Sequence, residues 1–86
     1  MPTVLRVLGF NVVIFYEDHE PEHVHVGKGG AEAKIHIGRP SSDGDPGEAP
    51  RIVKIKGLPK QDAYEAWRIV AEHQAFLLSE WKRLIP

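Results

Sequence analysis

The stretch His23-Val24-His25-Val26-Gly27-Lys28-Gly29-Gly30-Ala31-Glu32-Ala33-Lys34-Ile35-His36-Ile37 decides the fold. On each side of the glycines, polar and apolar residues alternate with a period of two, as strands with one buried face do. Lys28-Gly29-Gly30 can adopt the positive φ angles of a tight turn. The spacing therefore predicts a β-hairpin with strands over 23–27 and 31–37. A loop with an even residue count puts His25 opposite Glu32 and His23 opposite Lys34. It also gathers Val24, Val26, Ala33, Ile35 and Ile37 on one face, whereas an odd loop mixes the faces. A one-residue slip inverts every side chain, so the even register is expected. The other face then carries His23, His25, Glu32, Lys34 and His36.

Working outward, residues 3–8 and 12–16 are rich in β-branched and aliphatic residues and read as a second hairpin around Gly9-Phe10-Asn11. The polar segment 17–22 contains Pro21, which is incompatible with a central strand. On the C-terminal side, 38–50 is dense in Gly, Pro, Ser and Asp and reads as a mobile exposed loop. Residues 51–56 alternate again and supply a last strand. Pro59 suits a first helical position, and no Gly or Pro interrupts 60–84, so one long helix is expected over about 59–84. At about 100° per residue, Ala63, Ala66, Trp67, Val70, Leu77, Leu78, Trp81 and Leu84 line one stripe. Gln74 falls inside that stripe, where it needs hydrogen-bond partners. Ile69, His73 and Phe76 fall outside it, as a second small patch suited to a partner interface. The expected architecture is α+β: an antiparallel sheet of four to five strands in two layers with one C-terminal helix, a single domain over 1–86.

Composition narrows the function classes. The chain has 86 residues, no cysteine and a net charge of −1. Disulfide staples and thiolate metal sites are excluded. The near-neutral charge argues against a globally basic nucleic-acid binder and leaves a local basic patch open. No apolar run reaches the roughly 20 residues of a membrane span. The N-terminus lacks the layout of a signal peptide, so a cytoplasmic protein that does not enter a membrane is expected.

Five histidines are many for this length, and His19, His23 and His25 cluster. His23 and His25 are two apart on a strand and project from the same face. With His19 and Asp18 nearby they form a candidate site for a divalent metal such as zinc or nickel, with water completing the coordination. Acid–base chemistry on a phosphodiester is the second reading. There His23 and His25 exchange protons, with Lys34 or Lys28 holding a phosphate. Lys34 opposite His23 would favour the neutral base form, and Glu32 opposite His25 the charged acid form. The third reading is a non-enzymatic module whose sheet face or Ile69/His73/Phe76 patch docks a protein. The plain alternative to all three is a solvated strand that happens to carry two histidines.

Residues Met1 to Arg6, Phe15-Tyr16, Asp18-His19-Glu20-Pro21-Glu22-His23-Val24-His25-Val26, Lys28-Gly29 and Glu32-Ala33-Lys34-Ile35 resemble the domain-of-unknown-function 4160 family of small bacterial proteins. Phe76-Leu77-Leu78 followed by Trp81 resembles it too, and the likeness covers nearly the whole chain. The segment 38–50 departs from the family pattern, which is shorter there. Family members are often encoded beside another small domain. The resemblance thus implies a protein partner from an adjacent gene and a toxin–antitoxin-like or regulatory pair, with RNA as a further partner. Whether the chain is an enzyme, and whether it is a monomer or a homodimer, stays open at this level.

Overall fold

The computed structural model describes residues 3–85. Five strands, β1 (Thr3–Val7), β2 (Phe10–Val13), β3 (His23–Lys28), β4 (Ala31–His36) and β5 (Arg51–Lys56), precede two helices, α1 (Lys60–Glu72) and α2 (Gln74–Leu84). The strands form one antiparallel sheet in the order β1-β2-β3-β4-β5, each beside its chain neighbour. The α+β, two-layer expectation holds. The single long helix is corrected to two.

The central hairpin pairs two residues further along than expected. His25 lies opposite Lys34, His23 opposite His36, and Glu32 opposite Gly27. Gly29 and Gly30 alone make the turn, with φ of 57° and 85°, and Lys28 already pairs with Ala31 in the ladder. Two consecutive positive φ values are what a two-residue hairpin turn requires. The loop is still even, so the faces are unchanged: Val24, Val26, Ala33, Ile35 and Ile37 are fully buried. The first turn is also shorter than expected. Leu8 (φ 53°) and Gly9 (φ 81°) close it, and Phe10 enters β2 as a core residue.

The helical layer covers the apolar face. Ala63, Ala66, Ile69 and Val70 are the buried positions of α1, and Leu77 and Trp81 those of α2. The break falls at His73, whose φ of −115° and ψ of 23° leave the helical region. It lets the two segments turn different faces inward. Ile69 consequently goes into the core at 2% exposure, while Phe76 stays out at 45%. The expected Ile69/His73/Phe76 surface patch is therefore dissolved by the helix break. Trp67 is half-buried. Its indole N–H donates to the Pro50 carbonyl at 2.7 Å and its ring stacks on Tyr64.

Gln74 finds the partners its place in the stripe demands. Its amide donates to the carbonyls of Ile37 and Glu48, both at 2.8 Å. This ties the start of α2 to the end of β4 and to the segment 38–50. That segment is a hydrogen-bonded excursion: Arg39 and Glu48 exchange both backbone bonds, as do Ser42 and Asp45. The Arg39 guanidinium holds Asp45 and Glu48 at 3.0 and 2.8 Å. Gly47 fits there because a Cβ would lie 2.6 Å from the Arg39 carbonyl oxygen.

Register fixes which side chains share the uncovered face. One row across the sheet runs Val13, His25, Lys34, Lys54; the next runs Asn11, Gly27, Glu32, Lys56; and His23, His36 and Arg51 form a third. A bulge between Lys34 and Ile35 brings Lys54 directly opposite Lys34. Like charges facing each other across a ladder are unfavourable, so this pairing does not itself stabilise the sheet.

Candidate metal centre

The site lies where β3 emerges from the loop 14–22. Asp18 is turned inward by a tight local bond pattern. Its backbone N–H donates to the Phe15 carbonyl, and its Oδ2 accepts the Phe15 N–H, each at 3.0 Å. Such side-chain-to-backbone closure is what Asp does well in a turn. Asp18 is thereby aimed at β3, while its neighbour His19 is left exposed. His19 lines an open depression on the outer side of Asp18, with Glu20, Glu22, Trp81 and Lys82.

His23 and His25 project from β3 toward that carboxylate. His23 Nδ1 lies 2.9 Å from the Pro21 carbonyl oxygen. A carbonyl only accepts, so Nδ1 carries the proton and Nε2 points at Asp18 Oδ1, 3.4 Å away. His25 repeats the arrangement. Its Nδ1 faces Glu32 Oε2 at 3.4 Å, and its Nε2 faces Asp18 Oδ2 at 3.7 Å. Among the described residues His25 Nε2 has no hydrogen-bond partner although it is shielded from solvent. With the proton on Nδ1 of both rings, two imidazole lone pairs and a carboxylate converge with no donor between them. Three electron-rich atoms in a partly dry site repel unless a cation sits among them.

The walls hold this geometry. His23 is 5% exposed and stacks obliquely on Trp81 of α2, with ring centroids 5.3 Å apart. His23 was expected on a face that the helices leave free; Trp81 reaches it and buries it. His25 lies edge-on to Phe15 at 4.7 Å and edge-on to His23 at 5.2 Å. His36 lies 6.4 Å from His23. Burial, then the charge of Arg51 and the neighbouring His23 and Lys34, hold the His36 imidazole below its ordinary value.

Of the residues singled out from the sequence, Asp18, His23 and His25 come together, with one ligand atom from each within 4.8 Å of the others. His19 does not join them. Lys34 lies beside His25 in its row rather than opposite His23, so the Lys34–His23 half of the expected acid–base division loses its basis, while Glu32 still meets His25, diagonally, at 3.4 Å. Lys28 is drawn to the other layer, 3.7 Å from Asp62. Sequence reasoning missed Lys54, Lys56, Phe15 and Trp81. The alternation of Arg51 to Lys56 already contained the signal for the two lysines. Together with His25, Glu32 and Lys34 they line a shallow depression of about 310 Å³.

No helix among the described residues is long and apolar enough to cross a membrane. No curated protein and no solved structure matches the chain. Residues 9–82, which include Asp18, His23 and His25, match the family described as domain of unknown function (DUF4160), and the chain belongs to that family.

Proposed function

We propose that the protein is a small metalloprotein in which Asp18, His23 and His25 hold one divalent transition metal, with at least one position left for water or a substrate oxygen. The observation that carries this is the convergence of the two imidazole Nε2 atoms on the Asp18 carboxylate, with His23 Nδ1 held by the Pro21 carbonyl at 2.9 Å and His25 Nδ1 facing Glu32 at 3.4 Å. Ligands about 2.0–2.2 Å from a tetrahedral metal stand roughly 3.3–3.5 Å from one another. The 3.4 Å separation to Asp18 falls in that span and the 3.7 Å one just beyond it, and all three ligand atoms lie within 4.8 Å of one another, so small side-chain shifts would close the set on an ion.

The Pro21 carbonyl and the Glu32 carboxylate act as outer partners that fix each imidazole's tautomer, the usual support for a metal-bound histidine. Two imidazoles and a carboxylate, without thiolate, suit zinc, nickel or ferrous iron. Three protein ligands rather than four is the pattern of a site that keeps a coordination position for chemistry. A metal there would polarise a bound oxygen or lower the pKa of a bound water to about 7.

Calorimetric titration of the metal-free protein with zinc, nickel and cobalt tests this. We expect saturable binding of one ion per chain. Asp18→Asn and His25→Ala should each weaken it at least tenfold, and His19→Ala and His73→Ala should leave it intact. Absence of one-to-one binding, or binding that survives both Asp18→Asn and His25→Ala, overturns the proposal. A cluster that holds only a proton gives the first of those results.

A further inference from the structure

We infer that the uncovered face of β4 and β5 is a binding surface for the phosphodiester backbone of a single-stranded nucleic acid. The inference does not depend on the metal and is tested without it.

The first argument is the distribution of charge. The protein carries a net charge of −1. Of the seven cations without an ion pair among the described residues, Lys60 and Lys82 lie on the helices, Arg6 on β1 and the other four on β4 and β5. On the helices and in the segment 38–50, Arg39, Arg68 and Arg83 are each clamped by acidic side chains at 3.0 Å or less. Lys34, Lys54 and Lys56 make no ion pair among the described residues, and Arg51 makes none either. All four lie on the same sheet face by register, with Glu32 the one carboxylate between them. A positive patch is thus concentrated on one side of a protein that is neutral as a whole. Such a patch sets up a local field whatever the net charge.

The second argument is that this arrangement costs stability unless an anion covers it. Lys34 and Lys54 are direct cross-strand neighbours, and Lys56 follows two residues further along β5. An intramolecular role would place carboxylates opposite these lysines, as the helices do for their arginines. Lys56 does have Glu32 opposite it, but Lys34 and Lys54 face only each other across the β4–β5 ladder.

The third argument is shape and donor type. The patch is a half-open depression rather than a closed cavity, so a chain can lie across it. Lys54 and Lys56 stand about 6.6 Å apart along the strand, comparable with the step between successive phosphates. Lysine serves phosphate as a compact point charge with three rotatable donors, which suits a flexible backbone. His25, which also belongs to the ligand cluster, forms one wall of the depression. A strand lying on the lysines therefore runs past the candidate metal centre.

The test is fluorescence anisotropy with a labelled 12-nucleotide oligouridine and its deoxy counterpart, in chelator to keep metal out. Four cations meeting four phosphates give a log–log salt slope of about −0.7 per phosphate, near −2.8 in all. Affinity should then fall about 50-fold between 50 and 200 mM salt. Lys34→Ala, Lys54→Ala and Lys56→Ala should each flatten the slope by about 0.7, with binding lost in the triple variant. Lys82→Ala, on the exposed side of α2, should change nothing. No binding at 50 mM salt overturns the inference, as does a triple variant that binds like the parent. A polyglutamate peptide of equal charge that binds as tightly overturns it in favour of an acidic protein partner. Because chelator is present throughout, failure of the metal centre leaves these outcomes unchanged.

Discussion

Gln74 offers a sharp test of how the helical layer is held to the sheet. Gln74→Leu keeps the side-chain volume and deletes a donor group that serves two carbonyls at 2.8 Å, those of Ile37 and Glu48. A neutral intramolecular hydrogen bond contributes about 0.5–1.5 kcal/mol net, so two are worth about 1–3 kcal/mol. Gln74 is half-buried, and water can reach the Glu48 side, which favours the lower half of that range. In a domain of this size each kcal/mol shifts the melting temperature by about 4–8 °C, giving an expected loss of about 5–15 °C. Calorimetry measures the loss, and hydrogen exchange locates it. Amides of the segment 38–50 should lose protection while those of β3 keep it. Gln74→Glu sharpens the case, since a carboxylate facing two carbonyls should cost more at neutral pH than in acid, where it is protonated. If Gln74→Leu melts within about 1 °C of the parent, with the segment still protected, the clamp is not what orders this region.

Three further outcomes can be measured on the same protein. Leu8 sits exposed at φ 53°, a conformation that costs a leucine about 1 kcal/mol. Leu8→Asn, which creates the Asn-Gly pair that this turn prefers, should raise the melting temperature by about 4–8 °C. Glu32→Gln should weaken zinc binding about 10-fold by loosening the His25 imidazole, seen as a smaller zinc-induced gain in melting temperature, and unchanged affinity would show that Glu32 does not support the site. Asp45 is held below the ordinary carboxylate value by the Arg39 guanidinium and by the Gly47 N–H. A depressed folded-state value means that its contribution is present above the unfolded-state value and fades as pH falls through the folded one. Protection of the Gly47 amide, taken relative to its intrinsic exchange rate, should therefore fall in acid, and Asp45→Asn should remove that pH dependence.

The parts of the fold that follow from short-range periodicity were legible before any coordinates. Alternation about Gly29-Gly30 sorts the faces of β3 and β4 correctly even though each cross-strand partner lies two residues further on. Parity depends only on whether the turn has an even count, whereas the partner depends on which residues bend. The helix break was not legible, because nothing at His73 is a helix breaker. It arises from distant demands, the carbonyls of Ile37 and Glu48 on one side and the core positions of Ile69 and Leu77 on the other. In the candidate site, nearness in sequence suggested both Asp18 and His19. Only the Phe15–Asp18 turn distinguishes them, sending one side chain in and its neighbour out. The lysines of β5 were readable as a strand face. Their meaning needed β4 laid beside them, since a row of like charges exists only across strands.

The chain-order sequence of the sheet has a kinetic side. Every strand pairs with the one that precedes or follows it, and the two tight turns hold just two residues each. Closing such short loops costs little entropy, so the meander can zip outward from the β3–β4 turn without waiting for a remote segment. Asp18, His23 and His25 lie within one eight-residue span beside that nucleus. The ligand set can therefore assemble early, before α2 arrives with Trp81 to close over His23. A metal ion present during folding would meet a half-built chelate and speed the step that follows, so refolding with and without zinc should differ in rate as well as in end point.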